Sequence, residues 1–359
     1  LVTNDAALTA TGLQSRIALL KTGFNLVTIF SPEHGIRVKG EDGVLQRHGT
    51  DSLTGLPVTS LYSEKMAPSE DDLKQLDAVL FDIPDIGCRF YTYLWTMTYV
   101  MEACATFNKP FIVLDRPNPI GALLEHAEGP MLDEVNCSSF IGRWDIPLKH
   151  ACTLGELALF FAATRFPKLE IEVIRVDNYH RHQTAMQHFK FVPTSPAIQN
   201  INAAMLYPGS GLWEGIMVNE GRGTDKPFEQ LGAPWISNEE LCEVLTYRVT
   251  GVELNRVQFI PRSGVYEGEC CEGISFQVRD PYKFKAVQFG LTLLAAIFEL
   301  YPEVSERLYK THANPSGVRH MDMLLGQPDV LRQLRKHNAV DIRVAESWYT
   351  MMTSFLLYK

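Results

Sequence analysis

The segment Ser31-Pro32-Glu33-His34-Gly35 has the residue types of an acid–base turn. Pro32 fixes the backbone before the carboxylate, and Gly35 permits a sharp turn after it. The apolar run 25–30 (NLVTIF) leads into it and would leave the Glu33 carboxyl partly desolvated, as a general acid requires. The same pattern also suits a Glu that caps the following turn. On local pattern alone both readings stay open.

Three more clusters carry chemistry. In the first, Asp85-Ile86-Gly87 precedes Cys88-Arg89-Phe90-Tyr91-Thr92-Tyr93. Arg89 at a helix start would offer a planar fork to a carboxylate, and Tyr91 and Tyr93 would stack on a sugar or donate hydrogen bonds. The plainer reading makes the tyrosines core and pairs Arg89 with Asp85. The second is Asp115-Arg116-Pro117-Asn118-Pro119, rigid and polar, where Asp115 is a candidate second carboxylate and Arg116 an anion ligand, unless they brace each other. The third places Glu214, Glu220 and Arg222 among the glycines of 209–224, which suits close approach of backbone to a ligand.

These residues need a scaffold. Runs 25–30, 77–83 (DAVLFDI), 110–114 (PFIVL) and 171–176 (IEVIRV) read as buried strands separated by helical stretches, so a parallel sheet covered on both faces is expected. Residues 88–107 suit a long helix. Thr153-Leu-Gly-Glu156 is a capping box that opens another. In such a sheet ligands bind beyond the carboxyl ends of the strands. There this sequence places Asn4, Glu33 with His34, Asp82 with Asp85, and Asp115 with Arg116 and Asn118. Residues 191–235 are rich in Pro and Gly and read as a long functional stretch with little regular structure. Beyond it 238–249 and 286–300 read as helices and 273–278 as a strand. The expected organisation is a Rossmann-like parallel-sheet catalytic domain over 1–235 and a smaller α+β C-terminal auxiliary domain over 236–359.

Bulk properties exclude several classes. The chain has 359 residues and net charge −9, without the clustered Lys and Arg of a nucleic-acid surface. The most apolar stretch, 291–298, is too short to span a bilayer. No GxxxxGK[ST] is present, and Gly209, Gly211 and Gly215 lack dinucleotide spacing, so no nucleotide cofactor is expected. The histidines lack zinc spacing, so no metal is expected. Seven cysteines without a CxxC neither require nor exclude an oxidising compartment.

At these residues the sequence resembles the NamZ-like exo-β-N-acetylmuramidases, a family long catalogued as a bacterial domain of unknown function. The matching stretches are 30–36 (FSPEHGI), 51–59 (DSLTGLPVT), 81–94 (FDIPDIGCRFYTYL), 114–122 (LDRPNPIGA), 128–131 (EGPM), 153–159 (TLGELAL), 207–210 (YPGS), 220–225 (EGRGTD) and 227–236 (PFEQLGAPWI). The resemblance implies a Rossmann-like domain, a smaller auxiliary domain and a cleft between them. It implies release of terminal N-acetylmuramic acid from the non-reducing end of peptidoglycan fragments, with the family's motif glutamate at Glu33. It also implies a periplasmic or otherwise exported protein. The chain opens on Leu1-Val2-Thr3-Asn4, which reads as the end of a strand, so an upstream targeting segment is expected.

The sequence departs from the family pattern at Ala197, where an Asn is usual, at Ile216-Met217, where Thr-Asn is common, and at Val38, where Gly is usual. Asp115, Asp82 and Glu220 remain candidates for the second catalytic role. An N-acetyl sugar can instead supply its own acetamido oxygen, oriented by Tyr91 or an Asp. Arg89, Arg116 and Arg222 are candidates for the lactyl carboxylate. His34, Tyr93, Asn118 and Glu214 complete the expected substrate contacts. Two rival readings are a non-catalytic binding protein for muramyl sugars and a sugar-nucleotide transferase on a similar fold.

Overall fold

The computed structural model describes residues 1–359 except 42, 304–307, 309, 311–313, 315 and 337–339. Seven strands form the main sheet: β1 (Val2–Thr3), β2 (Ile29–Ser31), β3 (Gly49–Thr50), β4 (Pro57–Ser60), β5 (Val79–Asp82), β6 (Phe111–Leu114) and, after a short hairpin, β9 (Ile171–Ile174). Their spatial order is β3-β4-β2-β1-β5-β6-β9. All neighbours are parallel except the β3–β4 edge pair. The hairpin pairs β7 (Glu128–Met131) with β8 (Pro147–Lys149), antiparallel.

β1 is central. Val2 lies opposite Phe30 of β2 on one side and Phe81 of β5 on the other, and all three side chains are buried. The chain winds outward from β1 in one direction through β2 and β4, then returns to wind the other way through β5 and β6. Strand order therefore reverses at β1, which is where an open α/β sheet forms a crevice. This register sets the ends of β2 and β5 on the two flanks of β1, so segments 59 residues apart open on one crevice.

Helices cover the sheet: α1 (Ser15–Lys21), α2 (Glu70–Leu73), α3 (Tyr93–Thr106), α4 (Glu134–Cys137) and α5 (Leu154–Arg165). The capping box at Thr153 and Glu156 forms as expected. The helix expected over 88–107 starts only at Tyr93. Residues 88–92 form a turn, with Cys88 bridged to Lys149 at the hairpin.

The second layer departs further from expectation. The Pro- and Gly-rich stretch contains α6 (Ile201–Ser210) and a 3-10 turn over Gly211–Gly215, so Pro208 and Gly209 lie inside a helix. Gly209 is needed there because α6 crosses α8 (Ala286–Leu300) backbone to backbone. A Cβ on Gly209 would lie 2.0 Å from the Ala286 carbonyl oxygen. β10 (Gln230–Ala233) joins β11 (Val252–Phe259) and β12 (Cys271–Val278) in a three-stranded antiparallel sheet, order β10-β12-β11. Residues 230–233, short of the expected boundary at 235, thus belong to the smaller sheet. α7 (Asn238–Thr246) packs on that sheet, and α9 (His320–Leu325) packs on the 3-10 turn. Among the described residues no helix is long and apolar enough to cross a membrane.

Candidate functional site

A cavity of about 850 Å³ opens at the carboxyl end of β2, between the main sheet and the second layer. Glu33 stands on its wall. The chain leaves β2 through Pro32 and then reverses, with His34 and Gly35 both left-handed (φ 65° and 68°). Lys39 N and Gly40 N donate to the His34 carbonyl at 3.2 and 3.0 Å, and the His34 ring meets the Gly40 carbonyl at 2.9 Å. This knot fixes Glu33, which is 6% exposed. Gly43 N donates to its Oε1 at 2.8 Å, and Thr92 Oγ1 donates to its Oε2 at 2.6 Å. Thr92 is the N-cap of α3, so the positive end of that helix dipole faces the carboxylate.

Aromatic rings form the adjoining wall. Tyr91 lines the cavity beside Phe90, Tyr207 of α6 and Phe228, with ring centroids 4.7–5.8 Å apart and edges to faces. Rings in this arrangement offer apolar faces to the C–H surface of a sugar. Tyr91 OH donates to Thr194 Oγ1 at 2.8 Å and Tyr93 OH to the Thr194 carbonyl at 2.6 Å. The two tyrosines thereby anchor the Thr194-Ser195-Pro196-Ala197 segment along the rim. Tyr93 itself is fully buried, its phenol pushed well up by that burial, and it does not line the cavity. Its expected substrate contact is replaced by a bracing role.

The second layer supplies charge. Arg222 binds Glu214 and, at 2.8 Å, Glu220, and its guanidinium lies 4.7 Å over the Phe228 ring. Glu214 and Arg222 line the cavity, while Glu220 is buried behind them. His320, at the start of α9, also lines the cavity. Its Nε2 is 4.0 Å from Glu214 Oε2, and burial, with the charge of Arg222, pushes the imidazole down to about 4.

Several expected site residues lie elsewhere. Asp115 accepts hydrogen bonds from Thr153 Oγ1, Gly155 N and Tyr358 OH at 2.7, 2.8 and 2.7 Å, and burial lifts its carboxyl to about 6. It ties β6 to α5 and to the C-terminal segment, not to substrate. Arg89 is fully buried. Its guanidinium donates to the carbonyls of Pro130, Ile146, Leu324 and Leu325, and the side chain lies off the cavity, away from any ligand carboxylate there. Asp82 and Arg116 pair at 2.5 Å, and Arg116 also holds the Leu8 carbonyl at 2.9 Å. Asn118 clamps Ile120 N and the Cys152 carbonyl and packs onto Gly87, where any Cβ would lie 2.6 Å from its Oδ1. None of these five lines the cavity. The ends of β5 and β6 are therefore structural braces; the Glu33–His34 turn beyond β2 brings a carboxyl to the cavity, and Tyr62 beyond β4 also lines it. Of the departures from the family pattern, Ala197 lines the cavity, Ile216 is core, and the Met217 carbonyl accepts from Tyr266 OH.

Sequence reasoning passed over Thr92, Glu41, Tyr207 and His320 as cavity residues. Thr92 was hidden because the helix was expected from residue 88, which placed it inside the helix, whereas α3 starts only at Tyr93. His320 carries no local signal, because only packing of α9 brings it to the site.

The family profile described as exo-β-N-acetylmuramidase NamZ, N-terminal, matches residues 1–202, and its C-terminal counterpart matches residues 205–358. The chain belongs to the NamZ family. A NamZ relative, the peptidoglycan β-N-acetylmuramidase of Bacillus subtilis (strain 168), is 40% identical over 312 residues, 86% of this chain and 74% of the relative. Two crystal structures of DUF1343 family proteins from Bacteroides fragilis NCTC 9343 share this NamZ fold. Both cover 100% of this chain and 93% of their own, with TM-scores of 0.87 and 0.74 at 28% and 29% identity. The two NamZ profiles meet between 202 and 205, just inside α6.

Proposed function

We propose that this protein is an exo-β-N-acetylmuramidase that releases N-acetylmuramic acid from the non-reducing end of peptidoglycan fragments, with Glu33 as general acid. The observation that carries the assignment is the Glu33 carboxyl on the cavity wall, held through both oxygens by Thr92 and Gly43. Glycoside hydrolysis needs a proton for the leaving oxygen and a group that stabilises or attacks the anomeric carbon. Glu33 donates the proton. Glu214, held by Arg222, and the substrate's own acetamido oxygen are the two sources for the second role. Tyr91 and Tyr207 hold the sugar ring. Of the three arginines expected to meet the lactyl carboxylate, Arg222 is the one on the cavity.

A chromogenic N-acetylmuramide, the matching N-acetylglucosaminide and a muramyl disaccharide test the reading. Release is expected from the two muramides alone, and Glu33→Gln should lower kcat by roughly 100-fold or more. Normal turnover by Glu33→Gln removes Glu33 from the acid role. Tight muramide binding by the wild type without release would instead support a binding protein. A wall-derived substrate goes with a periplasmic or otherwise exported protein that serves cell-wall recycling, which fractionation of expressing cells checks.

A further inference from the structure

A second cavity of about 530 Å³ adjoins the first, and Ser195 and Pro196 line both. Arg37 and Lys39 line it on the opposite side. Both are exposed and follow Glu33 in the knotted turn by four and six residues. Lys39 makes no side-chain hydrogen bond or ion pair among the described residues, and Arg37 makes one hydrogen bond, to Ser52 Oγ at 3.1 Å. The one carboxylate in this lining, Asp5, is bound to Arg16 at 2.6 Å. In a chain of net charge −9, this is a locally cationic recess beside the catalytic turn.

Val38, between the two cations, is left-handed at φ 57°. A β-branched side chain rarely adopts that conformation, and strain of this kind concentrates at ligand sites. The conformation is enforced, since Val38 N donates to the Gly35 carbonyl and Lys39 N to the His34 carbonyl. The cations are thus mounted on the turn that positions Glu33.

We propose that this recess binds a carboxylate carried by the glycan beyond the scissile bond. The inference rests on the exo-muramidase reading. An exo enzyme keeps the terminal sugar in its main cavity and sends the rest of the glycan out over the rim, which here is Ser195-Pro196. The next muramoyl unit brings a lactyl carboxylate, or the acids of a stem peptide attached to it. Both present the same anion to Arg37 and Lys39.

The test compares the wild type with Arg37→Ala/Lys39→Ala and with Lys39→Glu, which leaves the Arg37–Ser52 bond intact. The substrates are a muramyl disaccharide, a peptide-free tetrasaccharide of two such units, and that tetrasaccharide with a stem peptide on the inner muramoyl residue. In both variants KM for a tetrasaccharide should rise roughly 3- to 10-fold, as expected for one or two exposed charge pairs, while disaccharide KM and kcat stay unchanged. Added salt should weaken the wild-type tetrasaccharide preference. An effect already present without peptide assigns the lactyl group, and an effect only with peptide assigns the stem. Equal KM changes on both chain lengths, or none on either, overturn the inference while leaving the glycosidase reading intact. Absence of release from any muramide by the wild type removes both.

Discussion

Thr92 Oγ1 donates to Glu33 Oε2 at 2.6 Å across β1, so the residue ending one arm of the sheet is held by the cap of the helix that follows the other. The contact joins the two halves of the winding at the point where chemistry is expected. With Glu33 as the proposed acid, Thr92 acts through it and is a positioning residue.

Thr92→Val keeps the shape and removes the donor. On the proposed mechanism Glu33 becomes a carboxylate as it gives up its proton, and a hydrogen bond to a charged group is worth about 1.5–3 kcal/mol, so kcat should fall by roughly tenfold or more. KM should hold, and Thr92→Ser should restore most of the loss. A KM change without a kcat change would argue against positioning.

Asp115 and His320 pull stability in opposite directions over the same pH range. Burial raises Asp115 from 3.8 to about 6, so the folded state keeps a proton that the unfolded chain has lost, and this contribution falls as pH rises from about 4 to about 6. Burial lowers His320 from 6.5 to about 4, so its contribution is complete above about 6.5 and is lost as pH falls towards 4. Each amounts to on the order of 3 kcal/mol when fully expressed. Relative to wild type, Asp115→Asn should lose Tm more steeply on acidification from pH 6.5 to 4. His320→Gln should lose less. Melting curves across that range check both.

Arg89→Leu strands four buried carbonyls and should cost about 3 kcal/mol or more, seen as a large fall in Tm. Burial lowers the guanidinium only to about 10, so Arg89 stays charged at neutral pH. In Arg89→Lys, KM for a muramide per folded molecule should match wild type, because Arg89 is buried and does not line the cavity.

Gly290→Ala tests the α6–α8 crossing. Its Cβ would lie 2.3 Å from the Gly209 carbonyl oxygen, and overpacking of this kind costs about 1–3 kcal/mol. Displacing α6 also moves Tyr207, so a lowered Tm should come with a raised muramide KM.

The sequence alone determined the parallel sheet, the helix at Thr153, the Glu33 turn and the family, because those features are written in neighbouring residues. Apolar runs set strands, Ser/Thr and Glu spacing sets caps, and Pro and Gly set turns. Helix content within 191–235 was hidden because Pro208 and Gly209 break helices by propensity, and the close approach of Gly290 compensates. The fate of each polar strand end was hidden too. Asp82, Asp115 and Asn118 look like Glu33 in the chain, and which of them meets the cavity depends on partners 34 to 243 residues away. Only the tertiary structure decided that Arg89 faces inward, that His320 reaches the cavity, and that Glu33, unlike Asp82 and Asp115, lines it. A side chain's role here is set by what surrounds it, and those surroundings come from distant parts of the chain.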